Sequence, residues 1–259
     1  MAGVTPEAFF LSGALGPIFA VYYPAVGQAR QAWVYLPPFA EEMNRCRATV
    51  ASQARAFSEQ GYATLILDPY GTGDSAGDLD QATWEGWLQD VGAAVRWLKE
   101  RVGVPVGLWG FRLGALVAAE TAHRSPGLIN RLLLWQPVLD GKLYLTQYLR
   151  LRVAFLMDRN LPPETTEGMR AALQDGQVLE VAGYPIAGPL AAGLDGARWS
   201  NLNQVSGLAV DWFEQVSEVD KPLGPASQKA IQQLTNQGCV VSVTPFTGPP
   251  IWQLHKRDD

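Results

Sequence analysis

The stretch Leu108-Trp109-Gly110-Phe111-Arg112-Leu113-Gly114-Ala115 decides how the rest of the chain is read. An apolar run passes through two glycines that flank one polar residue, and a helical pattern follows at once. Glycines on either side of a central residue let a strand turn sharply into a helix while that residue projects, strained, over the helix N-terminus. In the frame G-x-S-x-G the projecting residue is a serine nucleophile. Here it is Arg112. Whether a hydrolytic scaffold surrounds this turn, and what an arginine does at its apex, are the questions the flanking sequence must answer.

Upstream of the turn, strand-like and helix-like segments alternate. Phe9-Phe10-Leu11 and Ile18 to Tyr23 read as a hairpin, and Ala32 to Leu36 is a β-prone run ended by Pro37-Pro38. Cys46 to Gln60 places Val50, Ala54 and Phe57 at helical spacing before Gly61. Ala63 to Leu67 leads into Asp68-Pro69-Tyr70-Gly71-Thr72-Gly73-Asp74-Ser75-Ala76-Gly77, which is turn chemistry throughout. Trp84 to Arg101 is amphipathic, with Trp84, Leu88, Val91, Val95 and Leu98 on one face. Downstream, a helix runs to Ala122 and Ile129 to Trp135 is another buried-looking strand. Residues 141–200 break the rhythm and read as a cap or lid inserted between the sixth and seventh strands. Leu208 to Phe213, a helix from Ser227 to Asn236, and Cys239 to Val243 then resume the sheet; the closing helix after that strand is expected to be very short or absent. Apolar strands with helices between them predict a mostly parallel central sheet covered by helices on both faces, an α/β class.

A chain of 259 residues, 47% of them hydrophobic, buries one full core, so residues 1–259 are read as a single domain. The net charge of −5 has no basic run to track a phosphate backbone, which argues against nucleic acid as a partner. Cys46 and Cys239 stand far apart without a C-x-x-C frame, so neither a metal site nor a disulfide framework is expected, and a reducing compartment fits. The apolar stretch from Ala8 to Ala25 lacks a preceding positive region and is broken by Ser12-Gly13 and Gly16-Pro17. No run approaches the ~20 apolar residues of a membrane span, and a cytoplasmic protein without stable membrane insertion is expected.

The order of a strand with a proline loop, the Asp68 turn, the elbow, a cap and two final strands resembles the α/β-hydrolase fold. More narrowly, the chain resembles the hydrolase 2 family associated with the exosortase A system. That likeness rests on Leu-Pro-Pro-Phe-Ala-Glu-Glu-Met-Asn-Arg from Leu36 to Arg45, on Trp109 to Ala115, and on Gly248 to Trp252. It implies a cytoplasmic protein linked to exopolysaccharide and protein sorting. Fold alone does not imply activity.

Ser-His-Asp hydrolysis needs a hydroxyl nucleophile, a histidine, an orienting acid and two N–H donors. Guanidinium does not deprotonate, so Arg112 cannot attack a carbonyl. It reads either as an anion clamp above a helix N-terminus or as one half of an ion pair with Glu41 or Glu42. The loop after the last strand, Thr247 to Trp252, offers no proton shuttle, and His255 follows it in the tail; Trp252 reads as a pocket wall or as packing. His123 reads as a helix-end surface residue and Ser75 as part of a structural turn. Asp220 is the candidate acid, with Glu214 and Asp140 as alternatives. The N–H donors are expected from Phe39, the first residue after the prolines able to donate, and from Leu113. No cofactor is called for. The expected function is binding of an anionic or acyl-bearing small molecule, or of a pathway protein, without conventional catalysis. The alternatives are water-based hydrolysis assisted by Asp220 or His255, and a structural partner with a closed pocket.

Overall fold

The computed structural model describes residues 4–203, 205 and 207–253. An eight-stranded sheet runs in the order β1 (Glu7–Ser12), β2 (Pro17–Tyr23), β4 (Tyr62–Leu67), β3 (Gln31–Leu36), β5 (Val106–Phe111), β6 (Arg131–Trp135), β9 (Ala209–Gln215), β10 (Val240–Phe246). β2 pairs antiparallel with β1 and β4, and every other pair is parallel. Parallel strands need covered faces. β5 is buried at all six positions.

Side-chain alternation divides the core in two. Val34, Leu36 and Leu108 point to the side covered by α2 (Trp84–Val102) and α3 (Leu113–Arg124). Trp33, Tyr35, Trp109 and Phe111 point to the other side, where α1 (Glu41–Glu59) contributes Cys46 and Val50. α2 starts as its sequence suggests: Thr83 accepts from the Gly86 N–H at 2.9 Å, and Gly103 closes the helix in a left-handed turn. Trp84 and Trp87 on that helix are core residues.

Between β6 and β9 lie α4 (Gly141–Asp158), α5 (Thr166–Gln174), a hairpin of β7 (Leu179–Val181) and β8 (Tyr184–Ile186), and α6 (Gly188–Gly196). Gly- and Pro-rich residues 177–196, which have no clear period in sequence, form this hairpin and α6. Ion pairs Arg152–Glu164 and Arg170–Asp195 tie the segment internally. Tyr148 packs edge-on against Phe39, 4.9 Å between ring centroids, and so joins the segment to the sheet's upper rim. α7 (Pro225–Asn236) precedes β10. Cys46 and Cys239 are free and buried. Among the described residues, no helix is long and apolar enough to cross a membrane, and no group of three His, Cys, Asp or Glu side chains could hold a metal ion.

α1 differs from expectation in where it begins. Glu41 opens it, five residues ahead of Cys46, so Glu41 and Glu42 are first-turn helical residues rather than loop residues. Carboxylates are favoured at that end by the helix dipole. Ala40, with φ 53° and ψ −125°, makes the bend without any capping side chain.

Candidate functional site

β3 and β5 are neighbours, with Leu36 opposite Gly110, so the bends that follow them lie side by side. Arg112 holds the second bend at φ 54° and ψ −116° as the residue before α3. Its N–H donates to the Trp135 carbonyl at 2.9 Å, and its carbonyl accepts from Val138 at 3.1 Å. The two flanking glycines are dictated by contact. A Cβ on Gly110 would stand 2.4 Å from the Ala115 Cα, and one on Gly114 would stand 2.1 Å from the Leu36 carbonyl oxygen. Neither backbone atom can yield, so glycine alone fits at both places.

The guanidinium of Arg112 is held by Glu42. Nη2 donates to Oε1 at 3.1 Å and Nε donates to the same oxygen at 3.3 Å. The Tyr144 hydroxyl donates to the other oxygen, Oε2, at 3.0 Å. The Arg112 Cζ lies 5.8 Å from the Tyr144 ring centroid and 5.4 Å from that of Trp252. Burial, with Glu42 adding to it, pushes the Tyr144 phenol well above its ordinary range, so it remains a donor. A cation beside a helix N-terminus is disfavoured by the dipole, whereas Glu42 in the first turn of α1 is favoured; their pairing offsets the first with the second. Glu41 turns away, meeting Arg45 at 3.3 Å and accepting from the Tyr184 hydroxyl at 3.0 Å.

Beside this cluster, the N–H groups of Phe39 and Leu113 donate to no other described residue. They adjoin a narrow cavity of about 30 Å³ walled by apolar side chains such as Leu36, Phe39, Trp87, Val91 and Val117. Asp90 lines it too; burial raises its carboxyl pKa, and Oδ2 lacks a partner among the described residues. Cys46, near Glu42 and Arg112, is fully buried, and its thiol is pushed up to about 12. It is a packing residue rather than a thiolate nucleophile.

The carboxylates proposed as acids are not brought to Arg112. Asp220 is exposed in the turn after β9. Glu214 accepts from the Trp212 indole at 2.8 Å and from the Ser227 hydroxyl at 2.9 Å. Asp140 caps α4 through the Leu143 N–H at 2.9 Å and pairs with Arg198 at 3.4 Å. His123 lies in the last turn of α3, and His255 lies outside the described residues. Ser75 donates to the Asp68 carbonyl at 2.5 Å and accepts from the Phe19 N–H at 2.7 Å, which binds two strand ends through a turn.

Tyr144 and Cys46 escaped the reading of the sequence. For Tyr144 the signal was Tyr144 and Tyr148, one turn apart on α4 and both buried. For Cys46 it was helical spacing with Val50, which marks a core face and says nothing of Arg112.

The strand order, the elbow and its glycines converge with a match of residues 27–177 to the serine aminopeptidase S33 family. The chain belongs to that family. No curated protein matches the chain. Among solved structures, the chain is similar to Est1E from Butyrivibrio proteoclasticus with ferulic acid bound, at 17% identity over 93% of this chain and 90% of that one, with a TM-score of 0.68. It is similar to a highly thermostable carboxyl esterase from Bacillus coagulans in complex with glycerol: 14% identity, 94% and 90% coverage, TM-score 0.65. A third is DcsB in complex with its substrate analogue: 19% identity, 96% and 92% coverage, TM-score 0.64. These likenesses establish the α/β-hydrolase fold. Against the S33 family's name, this member carries Arg112 and not a serine at the elbow apex.

Proposed function

We propose that this S33-family chain does not hydrolyse by Ser-His-Asp chemistry and instead binds a short acyl-bearing anion at the elbow. The observation that carries the reading is the Arg112–Glu42–Tyr144 cluster, which puts a guanidinium that cannot act as a nucleophile at the apex and commits Glu42 and Tyr144 to holding it. Beside it, the N–H groups of Phe39 and Leu113 suit a carboxylate or thioester oxygen, and the apolar cavity suits the attached carbons. Its small volume limits the tail to a few carbons. On the resemblance carried by Leu36 to Arg45 and Gly248 to Trp252, we assign the protein to the cytoplasm and to exopolysaccharide or exosortase-linked sorting.

The test combines turnover with binding. 4-Nitrophenyl butyrate should not be cleaved above background, and a fluorophosphonate probe should not label the protein. Butanoate should raise the unfolding midpoint, butylammonium should not, and Val117→Phe, which fills the cavity, should remove the rise. Esterase activity at enzymatic rates sinks the proposal. A second reading is a partner protein with a closed pocket, favoured by the side-chain exposures of only 18% and 21% for Arg112 and Glu42. It is the better one if no anion shifts the midpoint while Arg112→Ala destabilises the fold.

A further inference from the structure

A second pocket, of about 250 Å³, opens at the carboxyl ends of the strands, and its walls are aromatic. It arises from register. Phe111 ends β5 opposite Trp135 of β6, and Trp135 stands opposite Phe213 of β9, so three adjacent parallel strands place an aromatic ring in one row. Phe246 at the end of β10 and Trp252 from the loop beyond it complete the walls. The rings stand across one another rather than stacked. Phe111 and Trp135 meet at 76°, Phe111 and Trp252 at 82°, and Trp135 and Phe213 at 62°, with centroids 5.7, 5.9 and 6.5 Å apart. Rings set steeply to their neighbours line the space as adjoining walls of a box.

Among the described residues, the lining carries no charged side chain. Its polar side chain, Gln136, already accepts from the Gln215 N–H through Oε1 at 2.7 Å. A primary ammonium would enter with N–H groups that find few acceptors there, at a cost in desolvation. A quaternary ammonium has no N–H to satisfy and is attracted by the negative ring faces. Arg112 shares Trp252 with the pocket, but its charge is matched by Glu42. We propose that this aromatic box is a binding site for a trimethylammonium group, on a soluble ligand or a lipid head. It is separate from the acyl-anion site and does not rest on that reading.

Choline, its neutral isostere 3,3-dimethylbutan-1-ol, and ethanolamine are titrated against the full chain by calorimetry. Choline should bind at least tenfold more tightly than either of the others. Phe213→Leu and Phe246→Leu keep apolar bulk but remove a π face, and each should weaken choline at least tenfold while the unfolding midpoint stays near that of the parent. Phosphatidylcholine vesicles then separate the two sources. Co-sedimentation that choline and Phe213→Leu both abolish places the group on a lipid; choline binding without co-sedimentation places it on a soluble ligand. Equal affinity for choline and its isostere, no choline binding at all, or undiminished binding by both leucine variants overturns the assignment.

Discussion

Two strand-to-helix bends stand side by side at the top of this sheet, and they have almost the same backbone. Ala40, between β3 and α1, lies at φ 53° and ψ −125°; Arg112, between β5 and α3, lies at φ 54° and ψ −116°. One apex carries a methyl group, the other a guanidinium. The strained bend therefore recurs where no side-chain chemistry is on offer, so strain by itself is no evidence of a nucleophile. What sets the two apart is charge. The Ala40 bend delivers Glu42 to the favourable end of α1, while the Arg112 bend holds a cation at the unfavourable end of α3, and the ion pair between them joins the bends into one unit.

The comparison breaks most violently at the glycine between the bends. Gly114→Ala drives a methyl into the Leu36 carbonyl, 2.1 Å from the ideal Cβ position. The expected loss is roughly 3 kcal/mol or more, in the range reserved for overpacking against backbone. Denaturant unfolding measures it, and near-parental stability would show that the bends do not pack as described. Glu42→Ala comes next. It leaves Arg112 facing the dipole without a counter-charge, but both groups keep some solvent, so the loss is well short of that for a deeply buried pair, about 1–2 kcal/mol. A double-mutant cycle with Arg112→Ala isolates the coupling, which should be favourable. A coupling near zero would make the two bends independent.

The Arg112 bend was legible in sequence because its two glycines announce it and apolar strands surround it. The parallel strands were legible for a similar reason: each is an uninterrupted apolar run, and two-sided burial needs no partner to be named. The choice between Glu41 and Glu42 as neighbours of Arg112 was not legible. It depends on the phase of α1, and that helix starts at Ala40 without the Ser, Thr, Asp or Asn that normally marks a start. Tyr144 was harder still, since it reaches Glu42 from 102 residues away and no local period records such a contact. The aromatic row of Phe111, Trp135 and Phe213 is visible only once strand order is known, because the three lie in separate strands.

Smaller changes sharpen the same contrast. Ala40→Gly should stabilise the protein by about 0.5–1 kcal/mol, since glycine adopts a positive φ without strain but loses more freedom on folding. Arg112→Gly relieves the same strain yet abandons Glu42, and should be destabilising; if both changes act alike, the side chain at the apex is idle. The pH dependence of Asp90 beneath the first bend is smaller again. Burial raises its folded pKa above the ordinary carboxylate value, so the folded state takes up a proton first, and stability contributed by this group grows as pH falls through the folded pKa toward the unfolded one. Relative to Asp90→Asn, the parent should therefore gain stability as pH falls from neutral toward about pH 4, the ordinary carboxylate value. A relative loss over that range would contradict the burial of this carboxyl.

The smallest effect is expected from the change that looks most like a repair. Arg112→Ser restores the frame Gly110-x-Ser-x-Gly114 on a backbone that already has the required φ and ψ, with the Phe39 and Leu113 N–H groups in place. A serine hydroxyl still needs a base to accept its proton. The rings lying against this apex belong to Trp252, whose indole N–H is a donor with no acceptor lone pair, and to Tyr144, whose hydroxyl is committed to Glu42; the carboxylates of Asp140 and Glu214 are committed elsewhere. Cleavage of 4-nitrophenyl acetate by Arg112→Ser should stay within a few-fold of the parent's background, with no fluorophosphonate labelling. A hundredfold rise would mean that a base serves the elbow, and Glu42→Gln and His255→Ala in the Arg112→Ser background would decide whether the carboxylate released from Arg112 or the tail histidine supplies it.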